Sequence, residues 1–194
     1  MPDNATIWSR IVDGIVRGEG HHSSYVRICH TPKLLKDYGL APVDLVISAG
    51  KIARVRREHP EVSLKIWHLL PNLLREPMAI FPSARRDGSI VVVLIIADVD
   101  GNPVIVPVVG GHDGGPNTVL TIYGKLAGLD WVSSEIAHAR REGLAVYVGK
   151  DFTATLPQPG SAEAIPSSPG PIPADGTVKP RRLILTLSKN TTKI

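Results

Sequence analysis

The stretch from Ser89 to Val109 constrains this chain more than any other. Ser89 to Ala97 is continuously apolar, the pattern of a strand covered on both faces. Asp98 to Asn102 supplies turn chemistry, and a second β-branched run follows from Pro103 to Val109. The two runs are expected to form a hairpin with structure packed on both sides. Pro107 has no amide hydrogen to give a ladder, which points its strand towards an edge or a bulge.

The flanking segments supply the layers. Asn4 is placed to cap a helix over residues 5–18, where Ile7, Ile11 and Ile15 recur every four positions until Gly18 and Gly20. His21 and His22 follow in a loop. Tyr25 to Cys29 reads as a short strand and Lys33 to Tyr38 as a helical turn stopped by Gly39. Asp44 to Ser48 is a second short strand. Ser48 can cap a basic helix, Ala49 to Glu58, with Ile52 and Val55 inward and Lys51, Arg54 and Arg57 outward. A helix from Glu61 to Leu74 buries Val62, Ile66, Leu69 and Leu73, with Pro71 bending its last turn. Met78 to Phe81 is a strand, and Arg85 to Gly88 a polar turn.

Beyond the hairpin, four glycines surround His112 and Asp113. Thr118 to Tyr123 alternates, with Thr118, Leu120 and Ile122 on one face and Asn117, Thr121 and Tyr123 on the other. Asp130 to Glu142 forms a helix, and Leu144 to Gly149 a last strand. The fold class is α+β.

Hydrophobic residues make up 43% of the chain but aromatics only 5%, so the core is mainly aliphatic. The single cysteine, Cys29, has no partner for an internal disulfide and reads as a small buried hydrophobe. No secretory signal opens the sequence, and no apolar run approaches the roughly 20 residues needed to span a bilayer. A soluble protein without membrane insertion is expected. The net charge of +4 is uneven. Residues 177–194 carry Lys179, Arg181, Arg182, Lys189 and Lys193 with no acid, which leaves about −1 elsewhere. Between them and the rest, residues 156–176 hold six prolines and three glycines, the composition of a spacer.

From His30 to Lys150 the sequence resembles the C-terminal domains of phage MuF proteins and related polymorphic toxins. The matching pieces are Arg57-Glu58-His59, Leu69-Leu70-Pro71-Asn72-Leu73-Leu74 and Glu76-Pro77-Met78-Ala79-Ile80-Phe81. The hairpin, Asn117-x-x-x-Thr121-x-Tyr123-Gly124-Lys125 and Leu144-Ala145-Val146-Tyr147 then follow in order. Where such domains usually carry Ser in the third-strand motif, this chain has Thr121, which keeps the hydroxyl.

The resemblance implies a barnase-EndoU-colicin-RelE-like architecture, with N-terminal helices packed on a curved, mainly antiparallel sheet. With the composition, it divides the chain into an N-terminal helix and lead-in over 1–29, the toxin-like domain over 30–155, the spacer over 156–176 and a basic strand over 177–194. It also implies a metal-independent ribonuclease toxin without cofactor, cutting RNA (tRNA being one candidate) in a bacterial cytoplasm. Delivery would be with a phage particle or a secreted toxin, and a cognate immunity protein would block it.

Such cleavage needs proton transfer at the 2′-hydroxyl and the 5′-oxygen, and cations on the phosphate. His59, Thr121, Tyr123 and Lys125 are the candidate catalytic residues. Arg54, Arg57, His112, Asn117, Arg181 and Arg182 are the candidate RNA-binding residues. His68 and His138, on helices, are expected at the margins of the core. Two plainer readings compete: a cation near a helix C-terminus for His59, and a solvated sheet face for Thr121 and Tyr123. The alternative function is a catalytically inactive module that binds protein or nucleic acid in a phage or toxin assembly.

Overall fold

The apolar hairpin forms the middle of one sheet in the computed structural model, which describes residues 4–19 and 23–153. Outside the described residues lie His21 and His22, the proline-rich stretch and the basic segment with Arg181 and Arg182; the Asn4 side chain is likewise not described. Strands β4 (Ser89–Ala97) and β5 (Pro103–Val109) pair antiparallel. Beyond β4 come β3 (Ala79–Pro82) and then β8 (Tyr147–Val148). On the other side, β5 carries β6 (Asn117–Val119), followed by β2 (Asp44–Ser48) and β1 (Tyr25–His30). A two-residue strand, β7 (Tyr123–Gly124), pairs with the opposite end of β5. Only β2 and β6 run parallel, so the described sheet is mixed, mostly antiparallel and eight-stranded.

Alternation along the hairpin creates two cores. Ile90, Val92, Leu94, Val104, Val106 and Val108 face one way, and Val91, Val93 and Ile105 the other. The first face is covered by α1 (Asn4–Val16), α3 (Ala49–Glu58) and α4 (Leu64–Leu73). In α1 the buried stripe is Trp8, Val12 and Ile15, while Ile7 is exposed and Ile11 half-buried. Trp8 has the most apolar surface to remove from water, and the helix turns to bury it.

Pro71 lies inside α4 and cannot donate to the carbonyl of Trp67 four residues earlier. The Trp8 indole satisfies that acceptor instead, with Nε1 donating to Trp67 O at 2.6 Å. Helix α4 begins after Ser63, three residues later than the sequence suggests, and buries Ile66, Trp67, Leu70 and Pro71. Leu69 and Leu73 are half-buried. Helix α3 is capped as expected, with Ser48 Oγ accepting from Lys51 N at 3.2 Å.

The second face is covered by α5 (Gly128–Arg141), through Val132, Ile136 and Ala139, and by Phe152 of α6 (Lys150–Thr153). His138 projects into solvent, not into the core margin. A short α2 (Lys33–Asp37) follows β1 and buries Leu35. The last strand is two residues long, where the sequence suggested six.

Candidate functional site

The chain opposite Pro107 does not continue β6. Val108 pairs with Val119, but Ile105 pairs with Tyr123. Val106 and Pro107 therefore face three residues, Leu120, Thr121 and Ile122, which is a β-bulge. Pro107 accepts from Leu120 N at 2.9 Å but has no hydrogen to return on that side, so the regular ladder stops there.

The extra residue changes which side chains share a face. Asn117, Val119 and Ile122 are fully buried, whereas Thr121 and Tyr123 come round to the α5 side of the sheet. This corrects the expected alternation, which placed Asn117 beside Thr121 and Tyr123. The Asn117 side chain is buried and bonded within the fold. Its Nδ2 donates to Thr31 Oγ1 and to Ala41 O, both at 2.8 Å, and its Oδ1 accepts from Gly111 N at 2.9 Å.

Helix α5 leaves the sheet around Val91 and Pro107 uncovered, and a cleft of about 620 Å³ opens there. It is lined by His59, Thr121, Tyr123 and Lys125, which the fold thus brings together. One wall is the turn after β3, with Ser83, Arg85 and Arg86. Trp131 and Glu135, one turn apart on α5, form another. Arg85, Arg86 and Lys125 outnumber Glu135, so the cleft is basic and suits an anionic ligand.

His59 reaches the cleft from the end of α3, where its N–H caps Val55 O at 2.7 Å. The loop after it is tied down from several directions. Arg56 donates through a terminal guanidinium nitrogen to Val62 O at 2.9 Å, and Val99 N donates to Glu61 O at 3.1 Å. The His59 Nδ1 lies 2.9 Å from Glu61 Oε1, which also accepts a longer 3.4 Å bond from Gly124 N. Gly124 has no room for a side chain, because a Cβ there would fall on the Asp98 carboxylate.

Burial raises the Tyr123 phenol above its ordinary value, opposed by the nearby charge of Arg85. The phenol therefore stays protonated at neutral pH, with a hydrogen available to donate. Lys125 Nζ sits 4.2 Å from the centre of the Trp131 ring, a cation–π contact. Trp131 in turn meets Phe81 edge-on at 5.9 Å.

The remaining candidates lie elsewhere. Arg54 pairs with Glu58 at 2.7 Å along the exposed side of α3, and neither it nor Arg57 lines the cleft. His112 is exposed on its loop, also away from the cleft. His68 is bound to Asp13 at 2.7 Å between α4 and α1. Cys29 is buried, and that burial pushes its thiol up to about 11, which keeps it an unreactive core side chain. Sequence reasoning missed Arg85, Arg86, Glu61, Trp131 and Glu135. Signals existed for two features: a pair of adjacent arginines in the turn after a strand, and a carboxylate two residues after a histidine.

Residues 51–151, just over half of the chain and inclusive of every residue lining the cleft, match the family model described as the phage MuF-C-terminal domain. The chain belongs to the phage MuF-C-terminal domain family. No curated protein and no solved structure matches it. Among the described residues of this MuF C-terminal domain, no helix is long and apolar enough to cross a membrane.

Proposed function

We propose that this MuF C-terminal domain is a ribonuclease-type toxin domain that cuts RNA by metal-independent transesterification. The observation that carries the reading is the convergence of His59, Tyr123 and Lys125 with Arg85 and Arg86 on one cleft. A volume of about 620 Å³ lies within the roughly 300–1,000 Å³ of small-ligand clefts. It suits a nucleotide unit, with the rest of the RNA running outside.

In this reading His59 and Tyr123 handle the protons. One group removes the proton of the ribose 2′-hydroxyl, and the 2′-oxygen attacks phosphorus. The bond from phosphorus to the 5′-oxygen breaks, and that oxygen takes a proton from the other group. The products are a 2′,3′-cyclic phosphate and a 5′-hydroxyl. Lys125, Arg85 and Arg86 stabilise the charge that builds on the phosphoryl oxygens, and the Thr121 hydroxyl offers a further hydrogen bond beside them. The proposal extends to a bacterial cytoplasm as the place of action, tRNA as a candidate target and an immunity protein as inhibitor; the phage family fits a phage particle as carrier.

The test is incubation of the purified full chain with total bacterial RNA in EDTA, with His59→Ala alongside. Cleavage that falls by roughly a hundredfold or more in the variant supports the reading. Intact RNA with the wild-type protein favours the binding module instead, and full activity in the variant removes His59 from the chemistry.

A further inference from the structure

The contact between His59 and Glu61 fixes more than a position. An ionised carboxylate only accepts hydrogen bonds, so a bond from His59 Nδ1 to Glu61 Oε1 at 2.9 Å requires the hydrogen to be on Nδ1. In the neutral ring Nε2 is then a bare acceptor, and His59 is a lining residue of the cleft. We infer that Glu61 is a positioning residue that holds His59 in this tautomer, so that His59 is the base and Tyr123 the proton donor. The base assignment rests on the ribonuclease reading; the tautomer does not.

The surroundings of Glu61 suit that role. It is itself half-buried, at 21% side-chain exposure against 33% for His59. Its backbone carbonyl accepts from Val99 N, and its carboxylate reaches Gly124 N. Glu61 therefore links the histidine to β7, the strand that carries Tyr123. His59 and Tyr123 are placed against each other through this one side chain as well as by their own ring contact.

The experiment uses full-length protein labelled with ¹⁵N-histidine, at a pH where the imidazole is neutral, with the His59 signals identified by their loss in His59→Gln. Protonated and bare ring nitrogens resonate far apart. The expected wild-type spectrum shows a protonated Nδ1 and a bare Nε2 for His59. Glu61→Ala should move the ring towards the Nε2-protonated form and lower kcat on RNA by on the order of a hundredfold, with KM little changed. Glu61→Gln keeps a carbonyl acceptor and should restore most of both. An Nε2-protonated His59 in the wild type overturns the inference, and so does an unchanged tautomer in Glu61→Ala. If the wild type cuts no RNA, the ribonuclease reading fails, while the spectra still decide the role of Glu61.

Discussion

The imidazole of His59 and the phenol ring of Tyr123 lie 5.8 Å apart, centre to centre, with their planes tilted by 36°. One ring ends a helix packed on the first face of the sheet; the other belongs to a two-residue strand and points to the second face. They meet because β7 is paired on one side only, and the loop after α3 wraps that edge. The contacts of Glu61 with Gly124 and Val99 and the pairing of Tyr123 with Ile105 together place the two rings.

The raised Tyr123 phenol has a consequence for stability. Its ordinary value is 10.0, and the folded protein holds the proton to higher pH than the unfolded chain does. The stabilisation is therefore complete below pH 10 and is lost as pH rises from there through the folded value. Urea melts should show this loss, and Tyr123→Phe should lessen it. The same variant should slow RNA cleavage by roughly tenfold to a hundredfold if the hydroxyl is the proton donor.

Gly124→Ala tests the packing behind the site. The new methyl group meets an Asp98 carboxylate that is held by Asp100 N and Asn102 N at 2.9 and 2.8 Å. With no free space to give, the substitution should cost about 1–3 kcal/mol in denaturant unfolding. Unchanged stability would mean that the turn yields easily.

The arginines divide into two groups. Replacing Arg85 and Arg86 by alanine should weaken RNA binding and flatten its dependence on salt. Replacing Arg54 and Arg57, which lie along the outside of α3, should leave both nearly as they were. Binding titrations at two salt concentrations separate these outcomes, and equal effects from both pairs would place the RNA outside the cleft.

Asn117→Ala should behave as a stability variant. It leaves Ala41 O and Gly111 N without their partner inside the fold, at a cost of about 3 kcal/mol. Below its melting transition the variant should keep wild-type kcat on RNA. A selective loss of activity at full stability would return Asn117 to the site.

Trp8→Phe removes the donor that compensates for Pro71. The buried carbonyl of Trp67 is then unpaired, and a loss of about 1–3 kcal/mol is expected by thermal or urea unfolding.

The hairpin, the Ser48 cap and the order of helices and strands were legible because each rests on local pattern. Continuous apolar residues mark a doubly covered strand, and a serine before a helix marks its start. The stripe on α1 was misplaced because regular isoleucine spacing says nothing about a neighbouring tryptophan's greater need for burial. The apolar periodicity starts a helix at Glu61, which hides its contact with His59. Arg85 and Arg86 looked like solvent-facing turn residues, since nothing local shows that α5 stops short of them. The bulge at Leu120 to Ile122 was signalled only by Pro107, on a different strand. Reading it from the sequence requires the register of two strands at once, which periodicity in one segment does not contain.

The single extra residue opposite Pro107 decides which side chains between β6 and β7 face the cleft. Removing one residue from Leu120–Ile122 would let β6 and β7 merge into an unbroken strand, with Val119 still opposite Val108 and Tyr123 still opposite Ile105, so both cores and the Tyr123 position would persist while the extra side chain is lost. The lining of the cleft can therefore change by one residue while the strand order and the two cores persist.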